Sequence, residues 1–352
     1  MKKRITIYDI AEESGFSVGT VNRALSGKSR ISPSTKQHIL ATAKKLDYKV
    51  NPAAQGLRRA PINLAAILSC PIDEYVDSII DGISSAASEL EEYNVTIDII
   101  KLNFTNSIDC LNQTHVLIKD FADKNYKGII LFMSSATDEM EELTSLINEL
   151  TEKNIYFATV ANDIPNSKRV IHTATDAFMA GQMAAQLLEF TCKGKDVALL
   201  ISRGNVHVSS QYTNGFMEYA KNNVFSSVKI YEHYDNETKV ISAIDQMLEE
   251  NPDLKGVYIT TAAASIACNH IKKLKIKNLN IITTDLLRET PEFLSEKLAT
   301  ATIFQNPYRQ GKNVAKYLYQ FVTNKQCAGV HLITPNILLS SNVSSYLNNE
   351  ML

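Results

Sequence analysis

From residue 62 onward, short apolar runs bounded by polar residues or glycine recur along the chain. They are Ile62–Leu68, Val95–Leu102, Gly128–Met133, Ile155–Val160, Asp196–Ile201, Val228–Tyr231, Gly256–Thr260, Leu279–Thr284 and Ala299–Phe304. Runs of this length, flanked by turn formers, predict buried strands. Helical spacing fills most of the gaps. One stretch carries Val76, Ile79, Ile80, Ile83, Ala87 and Leu90; another takes Asp176 as its cap and continues through Ala180, Ala184, Leu187 and Leu188. Strands that alternate with helices predict parallel sheets. Nine or more strands in the span 62–352 suit an α/β body of two doubly wound lobes, with core on one side of the Val76–Leu90 helix. The seam between the lobes is expected near Asn162–Lys168, where Asn, Asp and Pro cluster, with later crossovers. Ligands bind such folds outside the carboxyl ends of the strands, so a cleft between the lobes is the expected site.

Residues 1–49 have a different texture, that of an all-α head. Thr6-Ile7-Tyr8-Asp9 reads as a capping box, followed by an apolar face of Ile7, Ile10 and Ala11. Gly15 supplies a corner tolerant of positive φ. Ser17 can cap a second helix with Val21, Ala24 and Leu25 inward; Ser32-Pro33 starts a third, with Ile39, Leu40, Ala43 and Leu46 at helical spacing and a stop around Asp47-Tyr48. The spacing of Ala11, Gly15 and Val21 is that of a helix-turn-helix, whose second helix enters the major groove of DNA. Residues 50–61 are capped by Asn51 and closed by Pro61, and would form barely two turns. So short a helix is unstable alone in water. This segment is either a basic linker or a hinge that folds only on DNA.

Charge sharpens the division. The first sixty residues hold twelve Lys/Arg and four acids, a local +8 in a chain of net −2, which leaves −10 on the other 292 residues. A compact cationic head on an acidic body is the footprint of a polyanion binder, here DNA. With 45% hydrophobic and 21% charged residues, the rest is an ordinary globular composition. No apolar run nears the ~20 residues that span a bilayer, and the basic start is interrupted by Asp9, Glu12 and Glu13. No membrane partner and no export are expected, hence a cytoplasmic protein. Five cysteines without C-x-x-C and seven dispersed histidines support neither disulfides nor a metal site. No glycine-rich phosphate loop or nucleophile elbow occurs, so neither a cofactor nor an enzyme activity is expected.

Residues 5–61 resemble the head and hinge of the lactose-repressor (LacI) family of bacterial transcription regulators. The run Thr6-Ile7-Tyr8-Asp9-Ile10-Ala11, Gly15-Phe16-Ser17, Thr20-Val21-Asn22-Arg23, Ile31-Ser32, Leu46-Asp47-Tyr48 and Asn51 carries the likeness. The resemblance implies DNA contacts from Ser17, Thr20, Asn22, Arg23, Ser32, Thr35, Tyr48 and Asn51, with Thr6, Tyr8 and Ala54 added to the set. Val18 and Gly19 open the recognition helix. Val18 can meet a thymine methyl, Gly19 reads nothing through a side chain, and Arg23 is the candidate for a bidentate guanine contact. Leu57 matches the leucine that wedges into the minor groove.

Residues 62–345 resemble, more loosely, the periplasmic sugar-binding module of that family, in its ribose-binding branch. Asp81-Gly82, Asp176 with Gly181, Gly215-Phe216, Thr284-Asp285 and Ala301–Gln305 carry this likeness. It implies a ligand set of Asp285, Gln305, Tyr75, Asp73 and Asn162, with Arg203 and Tyr212 beside them. Three usual hydroxyl ligands are altered: an arginine is replaced within Ser209-Ser210-Gln211-Tyr212, an Asn-Asp pair by Thr261-Ala262, and an Asp-Arg pair by Ala161-Asn162-Asp163. Together these features imply a DNA-binding regulator, a repressor by expectation, acting as a homodimer on double-stranded operator DNA. Its expected effector is a small molecule, a sugar or derivative. A regulator governed by a protein partner or a non-sugar metabolite is the alternative. A dimer seam is expected on the remaining apolar atoms of the Val76–Leu90 helix.

Overall fold

Capping chemistry sets the helices of the head. In the computed structural model, which describes residues 5–25, 31–48, 60–134, 140–221, 223–234, 236–261 and 263–347, α1 spans Ile7–Ser14. The Asp9 carboxylate accepts from the Thr6 N–H at 2.7 Å, and the Thr6 hydroxyl accepts from the Asp9 N–H at 3.4 Å. Gly15 ends the helix at φ 71°, a left-handed conformation that suits glycine. α2 (Val18–Leu25) starts on Ser17, and α3 (Pro33–Lys45) on Ser32, each hydroxyl accepting from the backbone N–H three residues on. Ile10, Val21, Ala24, Ile39 and Ala43 form the small core. Leu40, expected inward, is 43% exposed. Ile39 and Ala43, four apart, define the buried face of α3, and Leu40 lies a hundred degrees round the helix from Ile39.

The chain divides into two compact units, Met1–Arg59 and Ala60–Leu352. In the second, the first lobe runs β1 (Ile62–Ser69), α4 (Asp73–Leu90), β2 (Val95–Lys101), α5 (Ser107–Asp123), β3 (Gly128–Met133), α6 (Glu141–Glu152), β4 (Tyr156–Val160) and β5 (Ile171–Thr175). The second lobe runs α7 (Ala177–Cys192), β6 (Asp196–Ile201), α8 (His207–Ala220), β7 (Ser227–Glu232), α9 (Glu237–Glu250), β8 (Gly256–Ile259), α10 (Ala264–Leu274), β9 (Asn280–Thr284), α11 (Thr290–Ser295) and β10 (Ala301–Phe304). The chain then returns to the first lobe with α12 (Pro307–Asn324) and β11 (Gly329–Ile333), and closes on the second with β12 (Asn336–Leu338) and α13 (Val343–Leu347). Strand orders are β11-β5-β4-β3-β1-β2 and β12-β10-β9-β8-β6-β7; every pairing is parallel except β10 with β12.

The central strands are apolar throughout because both faces are covered. In β1, Leu64, Ala66 and Leu68 pack with Ile79, Ile83 and Leu318 on one side, while Ala65 and Ile67 pack with Ile118 and Ile147 on the other. All nine expected strands form. Three were not foreseen: β5, β11 and β12.

The seam does not lie at 162–168. That stretch is a loop joining β4 to β5, which are neighbours in one sheet. The first crossing falls between Thr175 and Asp176, the second at Gln305–Asn306, the third between Ile333 and Asn336. Hydrogen bonds tie the crossings together. Thr175 Oγ1 donates to the Gln305 carbonyl at 2.5 Å, and the Asp176 N–H donates to the Ile333 carbonyl at 3.0 Å. Buried Gln310, through Nε2, donates to Thr175 Oγ1 and to the Gln305 carbonyl, both at 2.9 Å.

Each lobe contains one helix pair in backbone contact. A Cβ on Gly82 would lie 2.0 Å from the Tyr308 carbonyl oxygen, and one on Gly215 would lie 1.9 Å from that of Phe178. Only glycine permits α4 to meet α12, and α7 to meet α8, at this distance. Helix α4 buries Val76, Ile79, Ile83 and Leu90, leaves Ile80 and Ala87 half-buried, and exposes Asp73, Asp77, Asp81, Ser84 and Ser88. Among the described residues no helix is long and apolar enough to cross a membrane.

Candidate nucleic-acid face and interlobe cleft

Positions 18, 19, 22 and 23 share the outer face of α2, opposite buried Val21 and Ala24. Val18 and Asn22 are half-buried, Gly19 and Arg23 exposed. Arg23 folds back along its own helix, Nε donating to the Gly19 carbonyl at 3.3 Å. A Cβ at position 19 would lie 3.7 Å from Arg23 Nη2, an ordinary van der Waals distance, so the guanidinium lies against the surface of Gly19. Ser17 and Ser32 are exposed, and their hydroxyls are engaged as caps, with Thr20 and Thr35 hydroxyls 3.0 and 2.8 Å away. These helix starts present backbone N–H groups suited to phosphate. Thr6 and Tyr8 are exposed, Tyr8 by 69%, and Tyr48 is half-buried. Asn51, Ala54 and Leu57 lie outside the described residues.

The second site is a cavity of about 100 Å³ between the lobes. Tyr75 at the start of α4, Asn162 after β4, Tyr212 in α8, Asp285 after β9 and Gln305 after β10 all line it. Five of the seven expected ligand residues thus meet. Ala161 aims Asn162: it sits at φ 62°, and the Asn162 N–H donates to the Val160 carbonyl at 2.7 Å, closing a γ-turn. A non-glycine residue in this conformation is uncommon and marks a site. Asp285, at φ 74°, turns its carboxylate inward, where Oδ2 accepts from Gln305 Nε2 at 2.8 Å.

Asp73 and Arg203 are not in the lining. Asp73 is exposed and shares Lys101 with Asp77, one turn further on, each at 2.7 Å, so this side of α4 faces the β2 edge. Arg203 lies in the turn after β6, where its charge acts on Tyr234 beside Glu232. Nor does the acid at position 163 replace the lost one. Asp163 is held by Arg169 Nε and Nη2, both at 2.5 Å, and accepts from Thr159 Oγ1 at 3.0 Å. Burial pushes its carboxyl up, but the Arg169 hydrogen bonds and the neighbouring charges hold it below the usual range.

Sequence reasoning did not name Ser202, Thr260 and Phe132, and met Ser209 and Thr261 only as replacements at usual ligand positions, yet all five line the cavity. Ser202 and Thr260 follow β6 and β8 directly, so the rule of strand carboxyl ends was the signal that could have found them. Four deeply buried polar atoms in the lining have no partner among the described residues: Asn162 Oδ1, Ser209 Oγ, Tyr212 OH and Asp285 Oδ1. Leaving each unsatisfied costs about 1–3 kcal/mol. Burial raises the Asp285 carboxyl to about 7, against the pull of the Gln305 hydrogen bond. Burial, and then the nearby Asp285 charge, push the Tyr75 hydroxyl well up; for Tyr212 burial, Tyr258 and Asp285 act in that order.

A helix-turn-helix head in one chain with a hinged two-lobed binding body is the make-up of a ligand-responsive, DNA-binding transcriptional regulator. The chain belongs to the periplasmic binding protein domain family over residues 66–326, and to the bacterial regulatory proteins of the lacI family through residues 6–51. It is similar to catabolite control protein A of Priestia megaterium, 23% identical over 76% of each chain. The HTH-type transcriptional regulator RegA of Clostridium saccharobutylicum is 26% identical over 78% of this chain and 79% of its own. In fold the body is similar to GanP, a glucose-galactose binding protein from Geobacillus stearothermophilus. There the TM-score is 0.71 at 22% identity, over 81% of this chain and 99% of that one.

Proposed function

We propose that the chain acts as a cytoplasmic homodimeric repressor of carbohydrate genes whose operator affinity is set by a sugar or sugar derivative in the interlobe cleft. The convergence of four partnerless polar atoms in that cleft carries the proposal, because a hydroxylated ligand supplies what each of them lacks. The lining comes from both lobes: Tyr75 and Asn162 from the first, Ser209, Tyr212 and Asp285 from the second. A ligand that touches both walls favours the closed arrangement, and it shifts DNA binding only by its differential affinity for the two states. On the head, Arg23 reads a guanine and Val18 meets a thymine methyl. Thr6, Tyr8, Ser17, Thr20, Asn22, Ser32, Thr35, Tyr48 and Asn51 hold the backbone and groove edge, and Ala54 and Leu57 act at the hinge. Two heads match two half-sites, because a two-fold protein asks for a pseudopalindromic operator.

Binding rather than catalysis suits the cleft. Among the described residues Asp285 is its one carboxylate, and no described His, Lys or Arg lines it to serve as a partner acid or base. The test is operator mobility of the purified full chain across a panel of sugars, sugar phosphates and amino sugars. A change with one small molecule alone is the expected result. No response to any member, with a response to an added cell protein, would overturn the small-molecule mechanism.

A further inference from the structure

If the cleft is the effector site, as proposed above, its charge balance restricts the occupant. Among the described residues, Asp285 is the only formally charged residue in the lining. Two arginines that might have balanced it are placed elsewhere. Arg169 is committed to Asp163 through two bonds of 2.5 Å, and Arg203 lies outside the lining, beside Tyr234. Asp285 is 4% exposed; one oxygen accepts from Gln305 at 2.8 Å and Oδ1 has no partner among the described residues. Around it the walls are aromatic. Tyr75 and Phe132 lie with ring centroids 5.8 Å apart, and Tyr212 lines the same space.

A buried carboxylate is costly unless it is both hydrogen-bonded and neutralised. A neutral sugar returns a hydrogen bond to Oδ1 but no charge. An ammonium returns both, by a charge-assisted bond, and the aromatic faces stabilise a cation further. A phosphate or carboxylate would add a second negative charge where no cation answers it. We propose that the effector is a small hydroxylated molecule bearing a protonated primary amine, an amino sugar or amino polyol, whose ammonium donates to Asp285 Oδ1, and that anionic metabolites are excluded. The raised carboxyl of the unliganded cleft agrees with this, since it lacks the cation that would hold it ionised.

Calorimetric titration of the full chain at pH 7 with D-glucose, D-galactose, D-glucosamine, D-galactosamine, their N-acetyl forms and their 6-phosphates tests the proposal. One free amine should bind at least about tenfold tighter than its neutral and N-acetyl counterparts, the yield of one added charged contact. The phosphates should not bind. In Asp285→Asn the amine and its neutral parent should converge to within about twofold, a near-zero free-energy difference. A neutral sugar that binds as tightly as its amine, a preference that survives Asp285→Asn, or a bound phosphate would overturn the charge assignment while leaving the cleft as the sugar site. No binding by any of them overturns both. Should Asp285→Asn fail to fold, the comparison of amine with neutral parent on the natural chain decides alone.

Discussion

Asp285 and His172 are both buried, and their protons respond to folding in opposite directions. Burial, aided by the Arg169 charge and opposed by Asp163, lowers His172 from 6.5 to about 4. The unfolded chain therefore takes up a proton between those values that the fold refuses. The contribution of His172 is complete above about pH 6.5 and is lost as pH falls toward 4. Asp285, raised to about 7, retains a proton that the unfolded chain releases above about pH 4, so it removes stability as pH rises from about 4 to 7. Urea unfolding of His172→Gln and Asp285→Asn against the natural chain should show the two slopes with opposite signs. Equal slopes would contradict the burial assignments. On the head, Arg23→Ala should weaken binding to a specific operator by about 1–3 kcal/mol in a gel-shift titration and weaken non-specific DNA binding less. Equal losses on both would remove its base-reading role. Tyr75, Asp285 and Gln305 were legible because the family resemblance fixed their places. Ser202 and Thr260 were not, since hydroxyl residues are common and nothing local aims one inward. Asp73 and Arg203 misled because sequence position does not give side-chain direction, and nearby Lys101 and the turn after β6 drew them elsewhere.

At the scale of elements, glycine decides how closely the helices that carry the site can pack. Gly215 lets α8 meet α7, and α8 brings Ser209 and Tyr212 to the cleft. Gly215→Ala should cost about 1–3 kcal/mol or more in urea unfolding, because the obstacle is the backbone of Phe178, which has no rotamer to change. It should also weaken ligand binding. A stability within ~0.5 kcal/mol of the natural chain, the range of an ordinary surface substitution, would contradict the packing assigned here. Gly82, Gly181 and Gly215 were visible in the sequence as family marks, but the reason for them appears only in the crossings. The nine foreseen strands announced themselves as continuous apolar runs. β5 carries His172 within Ile171–Thr175, and β11 lies at a sheet edge with exposed Val330 and Leu332, so neither shows the apolar pattern of a covered strand. Those omissions displaced the expected seam: without β5, the loop after β4 looks like the lobe boundary.

For the whole molecule, the question is how a ligand in the cleft reaches the DNA. Within the body, Gln310 joins ligand wall to hinge: its Nε2 donates to the Tyr75 hydroxyl at 3.3 Å and to both Thr175 and Gln305 at the crossings. Gln310→Leu should loosen that tie and reduce the effect of ligand on operator binding more than it reduces ligand affinity itself. Equal reductions would make Gln310 merely part of the pocket. The central claim is that cleft and operator are linked, and linkage is reciprocal. The direct measurement is the ligand dissociation constant of the full chain with and without saturating operator DNA, set beside the operator constant with and without saturating ligand. The two ratios should be equal and differ from one by about 5-fold or more. A ligand affinity indifferent to operator would contradict the claim.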